Sequence, residues 1–204
     1  MRFLVTSHNS KGTAIMIGTS RAHRFVLGFG VCVFTAGQAL AADVYQGTAK
    51  FRNAEDKSTS VKVTISLDGT MPEAARLAIL EKVKGNPDSA KSVLAGYPQL
   101  GFIEADNRRV PIRFAYISPI VDGKNITVIS DEPLGFIGGA KKDAKSKEGF
   151  DLTYAMITMK DAGGSKGEMG PATKIKWMDS GAPAPERYGD KIVWIDDVTK
   201  VTKP

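Results

Sequence analysis

Alternation of apolar and polar side chains with a two-residue period runs through much of this sequence. Between Val61 and Leu67, apolar residues take every second position, with Lys62, Thr64 and Ser66 between them. This period is typical of a β-strand that has one buried face and one solvated face. The sequence therefore predicts a sheet as the main element of the fold.

Further alternating segments supply the rest of the predicted sheet. Residues 109–116 contain Pro111, which has no amide hydrogen and therefore favours an edge strand or a bulge at that point. A polar turn at 122–125 joins them to residues 126–130, so that 109–130 form a hairpin. Other strands are predicted, in chain order, at residues 45–51, 150–160, 173–177 and 192–198. We expect a mainly β fold, either an antiparallel β-sandwich or an open barrel.

Residues 71–95 interrupt the alternation and predict a short pair of helices. Thr70 and Glu73 have the spacing of an N-terminal capping box. A second helix is predicted over 86–94, before Gly96. One face of the first helix carries four apolar side chains, those of Leu77, Ile79, Leu80 and Val83. Two roles remain open for the pair: a plug for one end of the β core, or a lid over a ligand cavity inside it.

The first 41 residues have the organisation of a cleavable signal peptide. A basic segment precedes the apolar run 25–34, which is followed by small residues ending at Ala41. The run is shorter than the roughly 20 residues that span a bilayer, so no stable membrane insertion is expected after cleavage. Met16 would also begin a leader of ordinary length, which leaves the true start open. We expect residues 42–204 to be a single exported domain, periplasmic or secreted.

Cleavage at that point removes side chains on which much enzyme chemistry depends. The leader contains the one cysteine, Cys32, and both histidines, His8 and His23. Nucleophilic mechanisms that use histidine as a base are then excluded, as are the usual donors for zinc, copper and haem. We expect no metal and no cofactor, and a non-enzymatic role is favoured.

The leader also accounts for most of the excess positive charge. The whole chain has a net charge of +6, but four basic residues and no acidic ones lie before Asp43. The remaining 24 basic and 22 acidic residues nearly balance, which removes most of the argument for a nucleic-acid partner.

Pairs of neighbouring acidic residues keep a hydrolase as an alternative. A glycosidase needs two carboxyl groups about 5 to 9.5 Å apart across a cleft. Glu104/Asp106 and Asp131/Glu132 stand beside turn-forming residues, so a solvated turn is the simpler interpretation for them. No catalytic residue is assigned. The pairs are Glu104/Asp106, Asp131/Glu132 and Asp196/Asp197.

Two sets of residues are candidates for ligand binding. The first is a set of aromatic side chains on predicted strands, which would form either core or a site for an apolar or sugar ligand: Phe114, Tyr116, Tyr154, Trp177 and Trp194. The second is a glycine-rich loop whose amides could form an anion site with a lysine rim: Gly138, Gly139, Lys141 and Lys142. An ordinary solvated loop is the alternative for the second set.

Taken together, these patterns predict a binding protein of the cell envelope. We expect non-catalytic binding of a small molecule or of an envelope component, which includes another envelope protein as a partner. The alternatives are a carboxylate-dependent hydrolase acting on envelope carbohydrate, and a purely structural envelope protein.

Overall fold

The computed structural model describes residues 42–52, 58–135, 148–178, 181–187 and 193–201. The predicted leader lies outside these ranges, as does the predicted anion-binding loop with Gly138, Gly139, Lys141 and Lys142. The predicted antiparallel β fold with a helical insertion is confirmed. Its strands are β1 (Asp43–Arg52), β2 (Ser58–Leu67), β3 (Gly101–Ala105), β4 (Arg108–Pro111), β5 (Phe114–Ile120), β6 (Gly123–Ser130), β7 (Leu152–Lys160), β8 (Lys166–Trp177), β9 (Pro183–Arg187) and β10 (Val193–Val201). The insertion comprises α1 (Glu73–Lys84), a 3₁₀ turn (Pro87–Ser89) and α2 (Ala90–Ala95).

Nine of the strands form one antiparallel sheet that curls into a half-barrel. Their order is β4-β3-β2-β1-β10-β8-β7-β6-β5, and β9 pairs with the second half of β8. Neighbours along the chain are mostly neighbours in the sheet, as in hairpin-connected folds. The exceptions are β10, which lies between β1 and β8, and the consecutive strands β4 and β5, which lie at opposite ends of the path. The sequence prediction left sandwich and barrel open, and the curled sheet corresponds to the second.

The two ends of the strand path are consecutive along the chain. Between β4 and β5, the Ile112 N–H donates to the Gly101 carbonyl at 2.9 Å, on the β3 side. The next amide, that of Arg113, donates to the Ile129 carbonyl at 2.9 Å, on the β6 side. The bent segment at residues 112–113 therefore makes hydrogen bonds to both ends of the strand path. Pro111 ends β4, which lies at one end of the path, as expected of a residue that favours an edge strand. The predicted single strand 109–116 is wrong, because the bend divides it into β4 and β5, and only β5 pairs with β6 as a hairpin.

The concave face of the sheet encloses the larger apolar core. Side chains from strands at both ends of the path pack in this one cluster, which is possible only inside the curl. Its members alternate along each strand with outward-facing residues. The fully buried members include Tyr45, Ile65, Ile103, Ile112, Ile126, Ile157 and Ile195.

The helical pair covers part of the opposite, convex face. Ile79, Val83 and Leu94 of the helices are buried in a second cluster, together with Phe114 and Tyr154 of the sheet. These strand residues alternate with those of the first core, so they point to the outside of the curl. The pair is therefore neither an end plug nor a lid over the interior of the half-barrel.

Several local predictions for the helical pair need correction. Pro72 occupies the N-cap position of α1 and no side chain caps that end, so the predicted capping box around Thr70 does not form. Leu77, predicted on the apolar face, is 45% exposed. The buried stripe is narrower than the sequence pattern indicated, because it is formed mainly by Ile79 and Val83.

Differences in the strands are smaller. The β5–β6 turn falls at Val121–Asp122, just before the predicted position, and β8 begins at Lys166 rather than Thr173. The sequence analysis did not predict β3 or β9. Both are short, and neither shows an extended alternation of apolar residues.

Candidate functional site

Four of the five predicted ligand-binding aromatics come together in the second cluster. Phe114 and Tyr154 are buried there, and Tyr116 and Trp177 are partly buried at its edge. Trp194 lies apart from them on β10, where it is 48% exposed. The structure thus separates the predicted set into one group of four and one exposed tryptophan.

The group of four lies between the sheet and the helical pair, in a layer that we call the aromatic layer. Its floor is the convex face of β5 and β7, and Trp177 packs against this floor from the end of β8. The rings of Phe114 and Trp177 meet edge to face, with centroids 5.3 Å apart and planes at 75°. This geometry is favourable for aromatic pairs and fixes the indole against the floor. The aromatic layer comprises Phe114, Tyr116, Tyr154 and Trp177.

The indole nitrogen of Trp177 is a buried donor without an acceptor. In the described part of the chain, Trp177 Nε1 is a buried side-chain polar atom that makes no hydrogen bond. Leaving such a group unpaired costs about 1 to 3 kcal/mol, and unpaired buried groups are rare in native structures. An acceptor at this position would therefore be bound favourably.

Arg76 of α1 places a guanidinium beside the same region. Its side chain is only 13% exposed. Its contacts with described residues are long: 3.7 Å from Nη2 to the exposed Glu73 carboxylate and 3.4 Å from Nη1 to the Gly181 carbonyl. The guanidinium carbon also lies 4.9 Å from the centroid of the Tyr116 ring. A largely buried cation thus has only weak partners among these residues.

Arg76 was not predicted from sequence. An arginine on an amphipathic helix ordinarily extends into solvent, and its neighbours in sequence give no contrary signal. Its burial depends on the turn around Gly181, which is far away along the chain. No local pattern could have identified it.

The helical pair is fixed to the sheet mainly at its two ends. Before α1, the Met71 N–H donates to the Ala115 carbonyl at 2.9 Å. After α2, Arg113 Nη1 donates to the Tyr97 carbonyl at 3.2 Å, and its Nε lies 3.2 Å from the Asp131 carboxylate. These contacts hold the ends of the insertion to the strands on which the aromatic layer lies.

The middle of the pair is held by apolar packing and by exposed ion pairs. Lys91 of α2 lies 3.1 Å from Asp151, before β7, and both side chains are substantially exposed. Lys174 of β8 lies 3.6 Å from Asp88, which is almost fully exposed. Surface ion pairs of this kind contribute about 0 to 1 kcal/mol each. The ion pairs therefore add little to the apolar packing that holds the middle of the helical pair on the sheet.

Two exposed apolar side chains come from the helix and the hairpin that border the aromatic layer. Leu77 of α1 is 45% exposed and Met178, at the end of β8, is 54% exposed. The hairpin turn that follows Met178 contacts the same helix, because a Cβ placed on Gly181 would lie 3.4 Å from Leu80 Cδ2. Exposed apolar side chains are thus present both on α1 and beside the β8–β9 turn.

The interior of the half-barrel is tightly packed around β1. A Cβ on Gly47 would lie 2.6 Å from Ile195 Cγ2, so only glycine fits where β10 bulges against β1. The recess lined by Tyr45, Gly47 and Ile195 offers no space for a water-sized molecule. The Tyr45 hydroxyl donates to the Asp43 carboxylate at 3.2 Å, and burial together with that charge raises the pKa of Tyr45 to about 12.

Asp43 has a charged partner at the same end of the half-barrel. Lys200 Nζ lies 2.6 Å from its carboxylate. The hydrogen bond from Lys200, with smaller contributions from the Tyr45 hydroxyl and Lys124, lowers the pKa of Asp43. This group of side chains is a paired structural network.

In each acidic pair considered from sequence, at least one carboxylate lies in a turn or beside a basic side chain. Asp106 lies in the β3–β4 turn with a φ of 51°, and Glu104 stands opposite Arg109 in the register of those strands. Asp131 is paired with Arg113, as described above. Asp196 lies 3.0 Å from Lys50, and this hydrogen bond raises the pKa of the Lys50 ammonium.

Metal sites and membrane-spanning helices can be assessed for the described ranges alone. Within them, no cluster of three or more histidine, cysteine or acidic side chains is placed to hold a metal ion. Within them, too, no helix has the length and apolar character needed to cross a bilayer.

Trp194 belongs to the uncovered part of the convex face. It stands opposite Lys50 of β1 and Glu168 of β8 in the strand register. Directly opposed residues of antiparallel strands share a face, so the exposed indole is flanked by charged side chains. Lys50 is itself held by Asp196.

Comparison with known proteins gives no relative from which a role could be transferred. No protein-family model matches the chain. The curated proteins and the solved structures likewise give no match. The chemistry of the aromatic layer is therefore the basis for a functional proposal.

Proposed function

We propose that this protein is a non-catalytic binding protein of the cell envelope that holds a small apolar ligand in the aromatic layer beneath its helical pair. The observation that carries the proposal is the buried, unpaired indole N–H of Trp177 among aromatic and aliphatic side chains. Ligand sites typically combine an apolar lining with a few well-placed polar groups. An apolar molecule with one hydrogen-bond acceptor satisfies both features.

The attachment of the helical pair supports the same proposal. Its backbone anchors lie at Met71 and Tyr97, whereas its middle is held by exposed ion pairs and by packing. A ligand that enters beneath it replaces apolar contacts with other apolar contacts, so the net cost of opening stays small. The envelope location comes from the predicted leader and is part of the proposal.

The two tryptophans of the chain allow a direct test. In a Trp194→Phe variant the remaining indole, Trp177, reports on the aromatic layer, whereas in a Trp177→Phe variant Trp194 reports on the exposed face. Bromine quenches indole fluorescence on contact, so 12-bromododecan-1-ol is a suitable apolar probe. We expect saturable quenching of Trp177 and little quenching of Trp194.

The outcomes separate the alternatives. Absence of quenching in both variants, up to the solubility limit of the probe, would show that the protein does not bind apolar chains in this layer. Quenching of Trp194 alone would move the site to the uncovered face. Unbrominated dodecan-1-ol is the control, because it must compete with the probe without quenching.

Trp194 supports a second candidate, the binding of envelope carbohydrate on the uncovered face. An exposed indole flanked by charged side chains is suited to stacking against a sugar ring while its neighbours donate and accept hydrogen bonds. A soluble glycan that shifts the emission of Trp194 and not that of Trp177 would favour this candidate.

A further inference from the structure

We propose that the ligand of the aromatic layer carries an anionic head group, a carboxylate in the simplest case, which Arg76 and the Trp177 N–H recognise together. This inference rests on the proposed function and adds the chemical class of the ligand. It assigns to Arg76 a role in ligand binding, in place of the usual position of a helix arginine in solvent.

The first argument is the state of the Arg76 guanidinium. A cation with a side chain only 13% exposed is ordinarily paired with a close carboxylate, because an uncompensated buried charge is costly. Here the Glu73 carboxylate is 3.7 Å away and 79% exposed, so water screens much of that interaction. The Gly181 carbonyl, at 3.4 Å, is at the limit of hydrogen-bonding distance. Among the described residues the guanidinium therefore has no close anionic partner, and its N–H donors can serve a bound anion.

The second argument is that both donors border the same turn. Trp177 is the last residue of β8, and the Met178 N–H that follows it donates to the Ala182 carbonyl at 3.0 Å. Gly181, which Arg76 contacts, lies within this turn. The residue that Arg76 contacts is thus hydrogen-bonded to Met178, the neighbour of Trp177, through the Gly181 N–H and the Met178 carbonyl at 2.8 Å.

The third argument concerns the rest of the ligand. Arg76 also stacks over Tyr116, which is part of the aromatic layer, so an anion bound to the guanidinium lies next to apolar surface. A free inorganic anion would gain nothing from that surface, whereas the chain of an amphiphile would be buried there at about 0.8 kcal/mol per CH₂. The arrangement favours a carboxylate attached to an apolar chain.

The test compares probes that differ only in their head group. In the Trp194→Phe background, binding of 12-bromododecanoate, 12-bromododecan-1-ol and (12-bromododecyl)trimethylammonium is followed by quenching of Trp177. We expect the carboxylate to bind about 10-fold more tightly than the alcohol, since hydrogen bonds to charged groups contribute about 1.5 to 3 kcal/mol. The cation should bind most weakly.

Variants of Arg76 then assign the preference. Arg76→Gln should weaken binding of the carboxylate far more than binding of the alcohol and so abolish the difference between them. Arg109→Gln is the matched control, because Arg109 is an exposed arginine stacked on Phe102 of the uncovered face. It makes the same change of charge and should retain the preference. Arg76→Lys should retain part of it, and it decides the question if Arg76→Gln does not fold.

The contribution of the indole N–H is measured separately. Because Trp177 cannot serve as its own reporter, calorimetry with dodecanoate is used for Trp177→Phe, and a several-fold loss of affinity is expected. Equal affinity of the unmodified protein for carboxylate and alcohol would overturn the head-group assignment while the proposed function stands. Absence of Trp177 quenching by all three probes would overturn the proposed function itself.

Discussion

At the scale of single residues, the polar atoms of Tyr45 and Trp177 are both buried but differ in whether they have a hydrogen-bond partner. The Tyr45 hydroxyl lies inside the half-barrel and donates to Asp43, which Lys200 in turn holds. The Trp177 nitrogen lies on the other side of the sheet and has no acceptor among the residues that the structure describes. A satisfied polar network in a core adds to stability, whereas a buried donor without a partner is rare and leaves room for an acceptor from outside the chain. Substitution of Tyr45 is therefore expected to change stability, and substitution of Trp177 is expected to change binding.

Replacing Tyr45 by phenylalanine should remove a loss of stability at high pH. The unfolded protein releases the phenol proton near pH 10, whereas the folded protein retains it until about pH 12. The unfolded state thus binds fewer protons in this window, and the free energy of unfolding falls as pH rises. At about 1.36 kcal/mol per pKa unit, the fall is roughly 2 to 3 kcal/mol.

Urea unfolding from pH 8 to pH 12, followed by circular dichroism, measures this effect. Subtracting the curve of Tyr45→Phe from that of the unmodified protein removes the contribution of lysines that titrate in the same range. Parallel curves for the two proteins would contradict the raised pKa of Tyr45.

At the scale of elements, the helical pair combines a buried stripe with an exposed edge. Ile79 is completely buried against the convex face of the sheet, while Leu77, two positions earlier on the same helix, is largely exposed. Of these two residues, only Ile79 helps to hold the helical pair against the sheet. The second belongs to the edge at which a ligand would enter.

Ile79→Ala and Leu77→Ala form a matched pair that tests this distinction. Ile79→Ala removes buried methyl groups and leaves a cavity, so it should lower the free energy of unfolding by about 2 to 5 kcal/mol. Leu77→Ala should change it by about 0.5 kcal/mol or less, because surface substitutions have small effects. Chemical denaturation measures both, and comparable losses would show that Leu77 is packed rather than exposed.

The same two residues show where sequence reasoning reached its limit. Periodicity identified α1, and the two-residue alternation identified most of the strands, because both depend on neighbours along the chain. The helical periodicity could not show that Ile79 is buried and Leu77 is exposed, since the width of the buried stripe depends on the sheet beneath the helix. The aromatic layer was predicted as a set of residues, but its position on the convex face depends on the curl of the whole sheet. Arg76 could not be predicted, because the turn that buries it is remote in sequence.

At the scale of the whole molecule, the outer edge of β9 is relevant to how copies of the protein meet. In the described part of the chain β9 is paired only with β8. The Met178 N–H donates to the Ala182 carbonyl, so alternation along the hairpin directs the backbone groups of Pro183 and Pro185 away from β8. Proline has no amide hydrogen, so neither position can donate to another strand. This is a recognised way to prevent edge-to-edge association.

Replacing both prolines by threonine should therefore promote self-association. The double variant Pro183→Thr/Pro185→Thr restores two outward amide hydrogens and raises β-propensity on the same edge. We expect a concentration-dependent dimer or larger species in size-exclusion chromatography with light scattering. Pro98→Thr, at an exposed position outside the strands, is the control and should remain like the unmodified protein. A double variant that also elutes unchanged would show that the edge is protected by other means.

The position of β10 also determines when the fold can be completed. Val201 of this last strand pairs with Val44 of the first, and the other side of β10 pairs with β8. Contacts between residues so far apart in sequence make folding slow, because a large loop must close before they form. Until residues 193–201 dock, β1 and β8 each present an unpaired edge that can bind another chain. A chain in which residues 193–201 are missing or undocked is therefore prone to associate with other chains through these two edges.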